Sequence, residues 1–147
     1  EEALAIHREI GHQQGVANGL ANIGNIYRAK REPDKARKYY EEALAIHREV
    51  GYQQGVANDL ANIGIVLTGT GKYEQAVPKL VEALGIYLAI GVANGPRQVL
   101  TGLVWCEDRL GRKRMVGMFK EGGLNDESVA NLLKLIDQMR QAMGAEK

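Results

Sequence analysis

Cysteine occurs once in the chain, at Cys106. A single thiol forms no internal disulfide, so no disulfide framework holds this fold, and the usage fits a reducing, cytoplasmic setting. An excess of charge of one sign is also missing. Against 18 Asp and Glu stand 19 Lys and Arg, a formal net charge of +1. That balance argues against nucleic acid or an anionic membrane as the partner, both of which favour a strongly basic chain. No apolar run approaches the roughly 20 residues of a membrane span, and no secretory signal is visible. No stretch alternates apolar and polar residues as a half-buried strand would, which leaves an all-α reading.

What is present is a repeat. Residues 1–24 read EEALAIHREIGHQQGVANGLANIG, and residues 41–64 read EEALAIHREVGYQQGVANDLANIG. The two differ only at Ile10/Val50, His12/Tyr52 and Gly19/Asp59. A worn third copy, VEALGIYLAIG, begins at Val81, so the shift is 40 residues each time. A fixed period of this length marks a stacked array of supersecondary units within one domain.

Apolar periodicity places the helices. Ala3, Leu4, Ile6 and Ile10 share one side of a helix over 1–10, which Gly11 is suited to end in the left-handed cap. Val16, Leu20, Ile23 and Tyr27 stripe a second helix over about 13–30. Pro33 suits the first position of a third, whose inner face runs from Ala36 to Val50. The pattern recurs with Val56, Leu60, Ile63 and Leu67, then Ala76 to Ile90. Pro78 implies a bend or a lost backbone bond in that last helix. A helix over 96–110, a short one over 112–121, and a final one after Asn125 complete eight helices in antiparallel pairs. Asn125 is the expected N-cap of the last helix. The units are 1–11 (second helix of a truncated repeat), 13–51, 53–91, 93–121 (a degenerate repeat) and 125–143 (a capping helix).

Chemistry-bearing motifs are few. Gly69-Thr70-Gly71-Lys72 lacks the first glycine and the Ser/Thr of a phosphate loop and follows no strand, so it reads as a turn. His7 and His47 share a slot with Tyr87, and no second ligand stands at helical spacing; the slot reads as a packing position with a polar tip, not a metal site. Cys106 has no His or Asp partner in sequence. Arg109, Arg112, Lys113 and Arg114 form a basic knot that reads as a solvated turn. No acid–base pair, nucleophile or cofactor loop emerges, so neither an enzyme nor a cofactor is expected.

Leu60, Ile63-Gly64, Leu67, Gly71, Tyr73, Ala76, Leu80, Ala83 and Leu84 resemble the tetratricopeptide repeat. Leu20, Ile23-Gly24, Tyr27, Ala36, Tyr40, Ala43 and Leu44 match the same spacing. The period is longer than the usual 34 residues, and after about residue 90 the match weakens, with Val104 where Gly belongs and Glu107 where Leu or an aromatic does. The resemblance implies a right-handed α-solenoid of antiparallel helix pairs with a C-terminal capping helix. It further implies a protein-interaction scaffold whose first helices line a concave groove for a peptide or helix of a partner protein. Carried over by position, the partner-contacting residues are Asn18, Asn22, Asn25 and Arg28, then Asn58, Asn62 and Ile65, then Thr101 and Trp105. An amide donates and accepts at once, so an Asn column can pair with an extended backbone of any sequence; alternatively these amides bond neighbouring helices. Trp105 is assigned to the groove or to the core. The Lys/Arg positions of the family's carboxylate clamp hold Ala21, Gln98 and Gly102, which argues against a chaperone-tail clamp. Two further readings remain: self-association through the exposed stripe of 1–10, as a homo-oligomer, and a regulatory arm of a larger signalling NTPase or enzyme.

Overall fold

The computed structural model describes residues 2–145, apart from the side chains of His7 and Ala145. Glu1 and the His7 side chain, both used in the sequence reading, lie outside the described residues. Seven helices follow one another: α1 (Glu2–Ala29), α2 (Pro33–Val50), α3 (Gln53–Gly69), α4 (Tyr73–Ile90), α5 (Gly95–Leu110), α6 (Arg112–Glu121) and α7 (Asp126–Ala145). Among the described residues there is no strand. Each helix through α5 packs on the next, and α3 also touches α1 and α5, which makes the architecture an all-α solenoid of stacked pairs.

Glycine sets how closely the helices approach. A Cβ on Gly24 would lie 2.7 Å from the Tyr40 ring, and one on Gly64 would lie 2.5 Å from Leu80. These two residues join the helices of a pair. A second column joins one pair to the next: a Cβ on Gly55 would meet the His47 ring, and one on Gly95 the Tyr87 ring, each at 2.6 Å. The alanines opposite, Ala36, Ala43, Ala76 and Ala83, are fully buried, with Leu60, Ile63 and Leu80 filling the space between. Turn glycines recur as well. Gly51 and Gly91 end α2 and α4 in the left-handed region, with φ of 74° and 76°.

One break in the repeat corrects the expectation of eight helices. Gly11 does not end a helix; α1 runs unbroken for 28 residues through it. The helices expected over 1–10 and 13–30 are therefore one. At the matching Gly51 the chain does turn, because α2 is held by α1 on one flank and α3 on the other. Residues 2–10 have no such second flank among the described residues, so continuing the helix keeps its backbone hydrogen bonds at no loss of packing. The expected inner stripe is accordingly exposed in part: Val16 is 40% and Ile23 38% accessible, against 4% and 1% for Val56 and Ile63.

The third pair departs from the first two. Val104, buried where Gly24 and Gly64 stand, keeps a following helix from close approach. α6 is short and meets α5 only lightly, whereas α7 lies against α5 more extensively. Glu107 becomes the joint. Its buried carboxylate accepts from Arg112 Nε at 3.0 Å and from Arg140 Nη2 at 2.8 Å, tying α5 to α6 and α7. Arg112 also reaches Asp137, and Arg114 reaches Glu74 at 3.4 Å, so much of the basic knot is internally paired. Asn125 caps α7, accepting from Ser128 N at 2.8 Å. Pro78 sits inside α4, which remains continuous and forgoes one backbone donor.

The glycine contacts can be tested directly. Gly55→Ala or Gly64→Ala forces a methyl group against a ring or a branched carbon and is expected to cost roughly 1–3 kcal/mol, read from urea unfolding. The same change at Gly69, where a Cβ meets nothing within 4 Å, should be far milder.

Candidate interaction groove

The first helices of the pairs build a shared hollow. Its walls are Asn18, Ala21, Asn22 and Asn25 of α1, Asn58, Ala61 and Asn62 of α3, and Gln98 of α5, with His47, Asp59 and Tyr87 at its base. The volume is about 440 Å³. Five of the asparagines singled out in the sequence are thus brought together. They converge because residues 18, 22 and 25 lie on one face of α1 at helical spacing, and the 40-residue copy repeats that face on α3.

The amides divide into two sets. Asn25 Oδ1 accepts from the Tyr40 hydroxyl at 2.6 Å, and Asn58 Oδ1 accepts from the Tyr87 hydroxyl at the same distance. Asn18 Oδ1 accepts from His47 Nε2 at 3.2 Å. His47 and Tyr87 occupy the same repeat position, as do Asn18 and Asn58, so one contact recurs with two side-chain chemistries. These three asparagines join neighbouring helices. Asn22 and Asn62 have no hydrogen-bond partner among the described residues, and they line the hollow at matching positions. Asn22 is exposed and Asn62 half-buried.

A buried pair underlies this surface. His47 Nδ1 lies 2.5 Å from Asp59 Oδ2, both side chains almost fully enclosed. Burial pushes the Asp59 carboxyl up to about 6, and the His47 contact pulls it down. The other carboxylate oxygen, Asp59 Oδ1, is buried without a partner. Tyr87 is pushed up to about 12, by burial first and by the neighbouring Asp59 second. The sequence reading missed this pair. Its only trace was Gly19/Asp59, one of three differences between the copies.

The remaining expected residues fall elsewhere. Ile65, Thr101 and Trp105 line an adjoining hollow of about 380 Å³ with Thr68, Arg97 and Gln98, so Gln98 borders both. Trp105 is 51% exposed and therefore outside the core. Thr101 donates to the carbonyl of Arg97 at 2.9 Å. Arg28 is absent from the walls of both hollows, and its Nη1 is buried without a partner near Tyr40. Cys106 is fully buried beside Thr68. Gly69, Thr70 and Gly71 form the turn between α3 and α4. A larger hollow, about 840 Å³, lies between α4, α6 and α7 and is walled mainly by apolar residues such as Val77, Val81, Leu84 and Leu88. Leu88 and Ala89 of α4 stand where the preceding copy has Arg48 and Glu49, and this less charged side is left uncovered, with Leu88 55% exposed.

A family model described as tetratricopeptide repeat matches the chain over residues 1–49 and 15–89. The chain belongs to the tetratricopeptide repeat family. The matched spans contain α1 to α3 and nearly all of α4, and so both pairs that build the asparagine-lined hollow. Tetratricopeptide repeats are, in general, non-catalytic modules that mediate protein–protein interaction. No curated protein matches the chain. Within this tetratricopeptide array, no described helix is long and apolar enough to cross a membrane, and no group of three or more metal-binding side chains occurs among the described residues.

The Asp59 carboxyl gives a pH test. Its folded value, about 6, lies above its ordinary 3.8, so the folded state holds the proton more tightly. The stability this confers is complete below pH 4 and is lost as pH rises through 6. Asp59→Asn, which cannot ionise, should therefore gain on the wild type by ~1–3 kcal/mol between pH 4 and pH 7. Urea unfolding of both proteins at the two pH values measures this. A stability difference independent of pH would contradict the assignment.

Proposed function

We propose that this chain is a non-catalytic scaffold, acting in the cytoplasm, that holds an extended peptide segment of a partner protein across the asparagine-lined hollow. The observation that carries the reading is the pair Asn22 and Asn62. They repeat at the same position of successive first helices, face one hollow, and have amides that no other side chain engages. Asn18, Asn25 and Asn58 shape the surface by tying His47, Tyr40 and Tyr87. Each unengaged amide can accept from a peptide N–H and donate to a peptide C=O, which recognises backbone without demanding a particular side chain. Selectivity then falls to the ends of the surface. Trp105, with Ile65 and Thr101, offers an aromatic anchor for one apolar side chain of the bound segment.

The test begins with peptides selected from a random displayed library on the wild-type protein. Their affinity is then measured for the Asn22→Ala/Asn62→Ala double variant. Each amide lost should weaken binding by about tenfold, the worth of roughly 1–1.5 kcal/mol of hydrogen bonding. Far-UV circular dichroism should be unchanged, since neither amide supports the fold. Equal affinity in the double variant would contradict the groove.

A further inference from the structure

Three hollows run into one another along the first helices. The asparagine-lined one shares Gln98 with the hollow of Ile65 and Thr101, and that one shares Thr68 and Trp105 with a third. The third, about 380 Å³, is completed by Tyr73, Asp108 and Arg109. Trp105 therefore stands between two spaces, its half-exposed side chain bordering both.

Charge along this path is one-sided. Of the basic knot, Arg112 is spent on Glu107 and Asp137, and Arg114 on Glu74 and Glu121. Arg109 is exposed and has no hydrogen bond or ion pair among the described residues. The two carboxylates that border the path are both taken. Asp108 accepts from Arg140 at 2.6 Å, and Asp59 is buried against His47. The amides lean the same way. Asn18, Asn25 and Asn58 are exposed, and the Oδ1 of each already accepts from a ring N–H or a hydroxyl. Each therefore shows a ligand its Nδ2 donor alone. A bound segment meets donors and an uncommitted guanidinium, and no uncommitted carboxylate.

We propose that the partner segment is acidic at one defined place: an Asp or Glu carboxylate accepts from the Arg109 guanidinium, two residues from the apolar side chain that Trp105 anchors. The inference rests on the peptide-binding reading and adds the chemistry of the partner. Trp105 and Arg109 are four residues apart on α5, which is about 6 Å along the helix axis. Side chains i and i+2 of an extended chain share a face about 6.6 Å apart. An apolar residue over Ile65, Thr101 and Trp105 thus brings the side chain two positions away beside Arg109. There a guanidinium can give a carboxylate two parallel N–H bonds. A Lys or Arg in the same place would face Arg109 and be rejected.

Peptides selected on the wild type from a random displayed library test this. Asp or Glu should be enriched two positions from an apolar residue. Replacing that acid by its amide should weaken binding roughly three- to tenfold, as expected of a charge-assisted bond at an exposed site. Arg109→Gln should keep the wild-type circular dichroism, because the side chain is exposed, and should cost the same factor. The two changes together should cost no more than either alone, and added salt should shrink the effect. The Asn22→Ala/Asn62→Ala variant separates this proposal from the reading beneath it. Peptides that lose affinity on that variant, yet show no acid preference and bind Arg109→Gln as tightly as the wild type, would overturn the acidic site and leave the groove standing. Losses that add independently would also overturn it. Acidic peptides that are coupled to Arg109 but indifferent to the double variant would contradict the groove and support the acidic site.

Discussion

The structure depends on a steric constraint at two glycine columns. At Gly24 and Gly64 the helices of a pair touch, and at Gly55 and Gly95 one pair touches the next. In each case a ring or a branched side chain sits where a methyl group would be. These contacts fix the distance and the angle between successive helices, and repetition every 40 residues turns a local fit into an array. The hollow is a consequence of that fit. Its walls come from α1, α3 and α5, and their partners stand behind them.

The polar groups beneath the hollow follow the same logic. A ring resting on glycine places its polar tip toward the first helix of its own pair, where an asparagine accepts from it. His47 with Asn18 and Tyr87 with Asn58 are two versions of one solution. His47 has a second ring nitrogen, and that nitrogen meets Asp59. The buried carboxylate exists only in the second copy, where Asp replaces the glycine of the first. Once these contacts are made, Asn22 and Asn62, with Gln98 of α5, are the amides of the hollow that no described side chain engages.

Much of this was legible in the sequence. The period, the pairing of helices, the glycines at 24 and 64 and the cap at Asn125 all rest on local patterns that a helix must satisfy wherever it lies, whereas the Gly55/Gly95 column emerged only in the structure. The convergence of the asparagines was legible because a copied face stays a face. Besides the His47–Asp59 pair, three things were not. Gly11 sits in nearly the same sequence as Gly51, with Ile10 and His12 in place of Val50 and Tyr52, and the helices packed around the two glycines differ; that packing is tertiary information. Arg28 shares a helix with the asparagines, yet it is not among the residues that wall either hollow, and its Nη1 is buried near Tyr40. Glu107 looked like a flaw in the repeat and proved to be the joint of the third pair, visible only once Arg112 and Arg140 were placed in space. The weakening of the repeat after residue 90 did signal changed geometry, through Val104, but not what replaced it.

The central claim is that the asparagine-lined hollow, and not the larger apolar one beside α4, receives the partner. Side-chain amide and methyl resonances of labelled protein, followed during titration with a binding peptide, test this most directly. The account requires the Asn22 and Asn62 amide signals to move together at the same peptide concentration while the methyls of Leu88 and Met118 stay in place. Movement of those methyls with unperturbed Asn22 and Asn62 amides would contradict it.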